Sequence, residues 1–493
     1  MRFAKILSVA ALPMFIFACG DSNSGDFSNN AKPDNPEEQP KDSIPENIPD
    51  SLLKPITRDY SSIWQHGDGT VANPYQISNE QELRSIAFYV NDSSMTFKGI
   101  FFKQTADITL SSAWTPIGIF GKNVNGFGNR PFSGTYDGGS KTISGLSITD
   151  TSAYSGLFGL TRNAHISNVV VKNAKMNVGS YAGALAGKID STVVENCSFE
   201  GVEIKGADRV GGLIGEATKA QISLVTLAGT VQGTSYVGGV VGSMQDGLLT
   251  NLTNNANVTG TSTVGGVVGS FAGVSSDGSV SSIFNKGAVT GTKDVGGVVA
   301  TLSRSKFEKS GNYGAVTADE SSMSNVGGVV AVASNKSAIN EIFNTGKVTV
   351  KKVQAAGGVV GSMKAITAMN MFNHGEVSGQ AFYMGGLAGI VDGDAKLESS
   401  YNAGKVPDEN FAGTVAGKVA STVTITNVYY DKTVGGTCLD IANHMLGQDM
   451  RPTGLATENM ITSTFATTLT ASGGDWKSEP ARFNGYPAFA WIQ

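Results

Sequence analysis

The stretch Tyr236–Gly242 reads YVGGVVG, and the phrase returns as TVGGVVG at 263–269 and as DVGGVV at 294–299. Aligned on its second glycine, with Ser or Ala accepted at the first, the phrase occurs ten times at intervals of 27 to 31 residues. Regular repetition at this period is typical of a stacked array of structural repeats. The aligned glycines are Gly156, Gly183, Gly212, Gly239, Gly266, Gly297, Gly328, Gly358, Gly386 and Gly413.

The positions around this glycine indicate how the repeats pack. The two residues after it are almost all apolar, and the third is Gly or Ala in every repeat. A column that admits only the two smallest residues indicates that another backbone passes close by. The column three residues before the glycine includes Arg209, Tyr236, Asp294 and Tyr383, so we expect it to face water.

A second phrase, aromatic-Asn-x-Gly, lies between the glycine phrases. Asn and Gly tolerate the left-handed backbone of a tight corner, and a short β-type run such as KVTV follows. Stacked corners would align the Asn amides and the aromatic rings into ladders. Strands and corners in alternation predict an all-β fold, a parallel β-solenoid of about ten coils. Connections between parallel strands are almost always right-handed, which favours a right-handed coil. The phrase occurs at Phe284–Gly287, Phe343–Gly346, Phe372–Gly375 and Tyr401–Gly404.

Composition agrees with a tightly turning β protein. The chain has 63 Gly among 493 residues, about 13% against a usual value of roughly 7%. Its hydrophobic content of 40% is enough to build a core. A net charge of −5 offers no basic surface for nucleic acid, so we expect no nucleic-acid partner.

The GG[LV][IV]G core followed by N-x-G resembles the GLUG repeat of bacterial surface proteins. That family includes adhesin-like proteins and non-catalytic regions of IgA-protease-type enzymes. The flanks at 67–91 (GDGTVANPYQISNEQELRSIAFYVN) and 454–465 (GLATENMITSTF) are also similar to segments that border such arrays. The resemblance covers about residues 67–493. It implies an N-terminal cap with a short helix and the first coils at 61–150, repeats at 151–425, and a C-terminal cap at 426–493.

The flanking segments make physical sense as caps for the open ends of a solenoid. Ser78 and Gln81 form a capping-box pattern that predicts a helix start. The residues Leu83, Ile86, Ala87 and Val90 would share one apolar face of that helix. All four tryptophans lie in the flanks, which favours core roles over ligand stacking for Trp64, Trp114, Trp476 and Trp491.

The N-terminus predicts export. A basic MRFAK start precedes an apolar run at 6–18, too short to span a bilayer, so residues 1–18 are predicted to be a signal peptide. The stretch Ile16–Cys19 resembles the bacterial lipobox, which implies lipidation of Cys19 and attachment to the membrane. Gly20 favours the outer membrane by the same resemblance. Residues 19–60 are polar and predict a disordered tether. The alternative is an ordinary signal peptide cut near Ala18.

Motifs for chemistry are scarce. The sequence contains no HExxH, no GxSxG and no phosphate-binding loop, and its four His have no ligand spacing, so we expect neither a cofactor nor catalysis. Asp392 and Asp394 are a weak candidate for a cation, with a polar turn as the alternative. Exposed Tyr236 and Tyr383 are weak candidates for stacking on a sugar. About eight coils separate Cys197 from Cys438, so a disulfide between them is not expected.

Three functional interpretations follow. The first is a surface-exposed lipoprotein of the bacterial envelope whose solenoid binds a polysaccharide or a protein. The second is a structural or assembly element of the envelope. The third, least favoured, is a polysaccharide-degrading β-helix enzyme. Any binding face is expected on the outward loops between each Asn corner and the next glycine phrase, such as Ala315–Asn325.

Overall fold

The structure, a computed structural model, describes residue 60 and residues 62–93, 95–120, 128–150, 154–274, 278–408, 411–444 and 451–492. The predicted signal peptide, the lipidation of Cys19 and nearly all of the predicted tether lie outside the described residues. In the part of the chain that is described, no helix is both long enough and apolar enough to cross a membrane.

The chain forms a β-solenoid of parallel stacked coils, as the repeats predict. Each strand pairs in parallel with the equivalent strand of the next coil; Val299 lies opposite Val330, and Val330 opposite Val360. The solenoid has about 13 turns, so the expectation of about ten was low. The difference comes from turns that precede Gly156 and are built on strands without the glycine phrase.

The strands follow one another in short segments that corners separate. Before the first glycine phrase they are Tyr75–Ile77, Phe101–Gln104, Ile108–Thr109, Thr135–Asp137, Thr142–Ser144 and Ser147–Ile148. The next are Phe158–Arg162, His165–Ser167, Val170–Lys172, Lys175–Asn177, Ala186–Asp190, Val193–Lys205, Asp208–Gly211, Ile214–Gln232, Ser235–Gly238, Val241–Asn254, Asn257–Thr259, Ser262–Gly265 and Val268–Ala272. The remaining solenoid strands are Ser279–Asn285, Val289–Gly291, Lys293–Gly296, Val299–Ser303, Lys306–Asn312, Val316–Ala318, Ser321–Gly327, Val330–Ser334, Ala338–Asn344, Val348–Gly357, Val360–Lys364, Thr367–Asn373, Val377–Gly385, Ala388–Asp392, Lys396–Asn402, Ala412–Val419, Thr424–Asp431, Leu439–His444 and Thr453–Leu455.

The predicted ladders form, except that Phe284 has no ring stacked on it, because the register places Thr253 and Gly311 beside it. Inside the corners, the Nδ2 group of each ladder Asn donates to the Oδ1 atom of the next, 2.8–2.9 Å away. On the outside, the rings of Phe343 and Phe372 stack with centroids 5.1 Å apart, and those of Phe372 and Tyr401 stack at 5.6 Å. The Asn ladder comprises Asn254, Asn285, Asn312, Asn344, Asn373 and Asn402.

A helix, α1 (Glu80–Ser93), forms in the N-terminal flank and buries the predicted apolar face. Its capping box begins one residue later than predicted. The Oδ1 atom of Asn79 accepts from the Glu82 N–H (3.0 Å), and the Glu82 carboxylate accepts from the Ser78 N–H (2.6 Å). Asn79 therefore caps the helix, and Gln81 takes no part in the box.

The cysteines and tryptophans take mostly the predicted places. Cys197 and Cys438 are buried free thiols, and burial raises the pKa of Cys197 to about 12. Trp64, Trp114 and Trp476 are buried in cores. Trp491 is only half-buried and its indole Nε1–H donates to Glu341 at 2.8 Å.

The C-terminal segment (residues 457–492) lies along the side of the solenoid. It contains helices α3 (Thr457–Met460) and α4 (Ser463–Ala471), a 3₁₀ turn at Phe483–Gly485, and an antiparallel strand pair, Trp476–Lys477 with Ala488–Phe489. A short helix, α2 (Lys432–Gly435), comes before this segment in the chain and directly follows the strand Thr424–Asp431. The segment covers the aromatic ladder and forms a second core there. That core comprises Phe343, Phe372, Tyr401, Met460, Phe465, Leu469, Trp476, Tyr486, Ala488, Phe489 and Ile492.

A partly buried histidine, His374, packs against the rings of Tyr401 and Tyr486 in this second core. The Tyr401 hydroxyl donates to the carbonyl of Pro487 at 2.6 Å, and His374 Nε2 lies 2.9 Å from that hydroxyl, so the neutral imidazole donates to it. Burial lowers the pKa of His374 to about 3. An unfolded histidine has an ordinary pKa near 6.5 and therefore binds a proton more readily than the folded one.

We expect the solenoid to become less stable as the pH falls below about 6.5, because the unfolded chain then takes up a proton that folded His374 refuses. At pH 5 the loss from this residue should be about 2 kcal/mol. Urea unfolding at pH 7 and pH 5 checks it, with His374→Gln as the control that keeps an N–H donor and does not titrate. An equal pH dependence in both proteins would contradict the prediction.

Candidate ligand-binding surfaces

A partly exposed column of aromatic and guanidinium groups runs along the N-terminal half of the solenoid. Strand pairing places Tyr154, Tyr181, Arg209 and Tyr236 on four successive coils. The ring of Phe120 lies against Tyr154 at the end, with centroids 4.4 Å apart and planes tilted by 32°. We call these five residues the tyrosine column. At about 4.8 Å per coil it extends over roughly 19 Å.

The groups of the tyrosine column are in contact with one another. The rings of Tyr154 and Tyr181 stack with centroids 4.4 Å apart and planes 14° from parallel. The guanidinium carbon of Arg209 lies 5.1 Å from the ring centre of Tyr181 and 5.3 Å from that of Tyr236. A guanidinium between two rings is a rigid arrangement, because both of its faces are covered.

Charged neighbours hold the arginine in place. The carboxylate of Glu216 lies 2.7 Å from Arg209 Nε and 2.6 Å from Lys188 Nζ, and Asp208 forms a further ion pair with the guanidinium. Burial acts to lower the pKa of Arg209, but Asp208 and the other neighbours outweigh it and raise the pKa. Burial also raises the pKa of Tyr154 to about 12, so its hydroxyl keeps its proton at neutral pH.

The sequence placed Arg209 and Tyr236 in the water-facing column, but of the five residues it gave only Tyr236 as a binding candidate. Alignment on the second glycine matched Gly183 with Gly212, whereas the strands pair Ala182 with Val210. The GALAG stretch at 183–187 therefore pairs with GGLIG at 211–215, which shifts the predicted alignment by one residue. The same shift occurs at Gly413, which pairs with Gly385. The available signal in the sequence was a tyrosine two residues before Gly156 and before Gly183, in YSG and YAG.

The second tyrosine candidate, Tyr383, lies in the same column of the solenoid but far from Tyr236. Four coils lie between them, and Tyr383 contacts Phe411 (ring centres 6.2 Å apart) and Lys418, whose Nζ is 5.5 Å from its ring centre. The structure therefore does not bring the two candidates into one site. Tyr383 belongs to a separate, smaller aromatic group.

The acidic candidate lies in a turn. The Asp392 carboxylate accepts from the N–H of Gly393 at 2.8 Å, and Gly393 has a left-handed backbone with φ of 66°. Asp394 lies beyond that glycine. Among the described residues, no group of three or more His, Cys, Asp or Glu side chains is arranged to hold a metal ion. The contacts of Asp392 are those of a polar turn.

The predicted binding loops form a ridge on three coils. Residues 319–323, 350–353 and 379–382 lie side by side, with Ser321 opposite Val353 and Val353 opposite Ala381, and they include the exposed Met323 and Phe382. Ion pairs join the coils, Lys351 to Asp319 at 2.9 Å and Lys352 to Glu320 at 3.3 Å. That this ridge binds a ligand stays a prediction.

Comparisons with known proteins identify regional similarity. No protein-family model matches the chain. It is 35% identical to halomucin of Haloquadratum walsbyi over 156 residues, which are 30% of this chain and 2% of halomucin. It is 31% identical over 144 residues to a protein of Evansella cellulosilytica provisionally named a Gly-rich membrane protein, over 27% of this chain and 16% of that one. The chain thus matches only small parts of these relatives.

One solved structure aligns over much of the chain. It is a protein of Bacteroides ovatus provisionally named an immunoglobulin A1 protease, 15% identical, with 87% of this chain and 96% of that one covered and a TM-score of 0.33. That TM-score is too low to support a conclusion about function.

Proposed function

We propose that the protein is a non-catalytic surface lipoprotein of the bacterial envelope, similar to GLUG-repeat proteins, that binds an extracellular macromolecule. In this proposal a lipid on Cys19 holds the chain at the membrane, and the polar residues after it act as a tether. The solenoid then presents the tyrosine column to the surroundings. The observation that carries the proposal is the tyrosine column itself.

The column has the chemistry of a protein-binding hot spot. Tyr and Arg are the residue types that most often dominate binding energy at protein interfaces, and they lose little conformational entropy when they are already held in place. Because Tyr154 and Tyr181 stack on each other and Arg209 lies over the ring of Tyr181, little open ring face is left for a sugar. This arrangement favours a protein partner over a stacked sugar at the tyrosine column.

Tyr236 gives the cleanest test, because it ends the column and is 37% exposed. We expect Tyr236→Ala to lower the binding of the labelled protein to intact cells at least tenfold, since hot-spot truncations cost more than about 1.4 kcal/mol. Flow cytometry of cells titrated with the purified full-length protein measures this. Tyr236→Phe should retain binding because the ring is kept.

Leu224→Ala is the matched control, because Leu224 is an exposed apolar residue outside the column. Loss of binding in Tyr236→Ala and not in Leu224→Ala would support the tyrosine column as the ligand surface. Equal binding by Tyr236→Ala and the unchanged protein would remove the column from the proposal.

A further inference from the structure

One face of the solenoid binds the C-terminal segment of the same chain. Beside the aromatic ladder runs a column of residues with left-handed backbones, one per coil. Four successive members hydrogen-bond to the segment through their side chains. These bonds join Glu341 to Asp475 N (3.4 Å) and Trp491 Nε1 (2.8 Å), Asn370 to Trp476 Nε1 (3.2 Å), Ser399 to Ser472 O (3.2 Å), and Asn427 to Ser472 Oγ (2.8 Å).

The same column continues beyond the segment on the preceding coils. Strand register places Lys309 next to Glu341, followed by Ser282 and then Asn251. Among the described residues these three make no side-chain hydrogen bond, in contrast to the covered members of the column. Trp491 marks the boundary, where the segment stops covering the face.

A groove of ≈ 420 Å³ lies at this boundary. It falls within the usual size range of small-ligand sites. We call it the open groove; its walls include Asn251, Ser282, Phe284, Lys286, Lys309 and Trp491, with Tyr313 beside them.

Aromatic surface is available in the open groove. The register places Thr253 on one side of Phe284 and Gly311 on the other, so neither neighbouring coil stacks a ring on Phe284. The Trp491 ring lies 6.1 Å from Phe284, tilted by 47°, which leaves the two rings splayed rather than stacked. Tyr313 is 39% exposed. Exposed ring faces are suited to the apolar faces of sugar rings.

Two positive charges border these rings. Lys286 and Lys309 are exposed, and neither forms an ion pair with any residue that the structure describes. Several other lysines of the solenoid pair with an acid on the next coil, for example Lys188 with Glu216 at 2.6 Å. The register places one acid, Glu341, beside Lys309, so the two lysines still outnumber it at the open groove in a chain of net charge −5. The open groove complements an anion.

We propose that the open groove binds an acidic polysaccharide, with carboxylate groups on the two lysines and sugar rings against the aromatic residues. Asn251, Thr253 and Ser282 supply the neutral donors and acceptors that sugar hydroxyls require. An acidic peptide fits less well, because the strand that carries Phe284 is already paired on both sides and offers no free edge for an added strand. This site is separate from the tyrosine column.

Affinity electrophoresis of the full-length protein in gels containing polygalacturonate tests the proposal. We expect retardation by polygalacturonate, much weaker retardation by its methyl-esterified form, and at least a tenfold loss of affinity in Lys286→Gln/Lys309→Gln. The control, Lys98→Gln/Lys141→Gln, removes the same charge at exposed lysines elsewhere. Phe284→Leu should also weaken binding, because it keeps an apolar side chain but removes the ring.

Three outcomes would overturn the proposal: no retardation by polygalacturonate, equal losses in the two lysine pairs, or equal retardation by poly-L-glutamate. The last would identify the open groove as a site for acidic peptides. Tyr236→Ala should leave polygalacturonate binding unchanged, and the groove variants should leave cell binding unchanged. Failure of this proposal is therefore distinguishable from failure of the proposed function.

Discussion

Gly328→Ala is expected to lower the free energy of unfolding by more than about 2 kcal/mol. A Cβ atom at Gly328 would lie 2.0 Å from the carbonyl oxygen of Gly358 on the next coil and 2.5 Å from the Asn344 side chain. The Gly358 backbone is held because its N–H donates to Gly385 O (3.0 Å), and the Asn344 side chain is held in the Asn ladder, so neither can move away without breaking hydrogen bonds. The midpoint of urea unfolding, followed by circular dichroism, measures the loss.

The matched control is Gly128→Ala. A Cβ atom at Gly128 would meet no atom within 4 Å, and its backbone is not left-handed, so alanine should be tolerated there within about 0.5 kcal/mol. If Gly328→Ala unfolded at the same urea concentration as Gly128→Ala, close backbone approach would not be the reason for glycine at this position.

Asn344→Ala should cost about 4 kcal/mol, because it removes one rung of the Asn ladder. The buried Asn344 side chain donates to Gly346 O (2.8 Å) and Asn373 Oδ1 (2.9 Å), and accepts from Asn312 Nδ2 (2.9 Å) and Gly346 N (3.1 Å). Alanine leaves these partners buried without a bond, and each such loss costs about 1–3 kcal/mol before relaxation. Urea unfolding measures the total.

Hydrogen exchange shows which coils Asn344→Ala destabilises. Because each coil contacts only its neighbours, protection should fall most in the coils around Asn312 and Asn373 and least in the distant N-terminal coils. Asn177→Ala, at an exposed strand position, is the control and should change little. A uniform loss of protection along the whole solenoid would contradict a local role for the ladder.

Much of the architecture could be read from single residue columns. The glycine phrase requires close backbones at one corner, and the Asn phrase requires a second corner whose amides bond from coil to coil. These demands are local and recur in every repeat, so the stacked parallel coils and the ladders could be predicted. Helix α1 could be predicted from its own capping pattern and apolar face. The buried free state of Cys197 followed from the same stacking. The turns before Gly156 lack the phrase, so the count of about ten coils left them out, although the first coils were expected at 61–150.

The candidate surfaces could not be predicted in full, because they depend on the strand register between coils and on where the C-terminal segment folds back onto the solenoid. A one-residue difference between GALAG and GGLIG decides whether Tyr181 lies opposite Arg209, and only strand pairing between coils resolves it. Predicting the open groove would require contacts between residues even farther apart in the sequence. Trp491 reaches Glu341 and approaches Phe284 across more than a hundred residues of sequence. The sequence by itself determined the stacked coil, because its repeats satisfy each other locally. Tertiary structure alone decided which side chains become neighbours on the surface, because packing between distant segments sets those contacts.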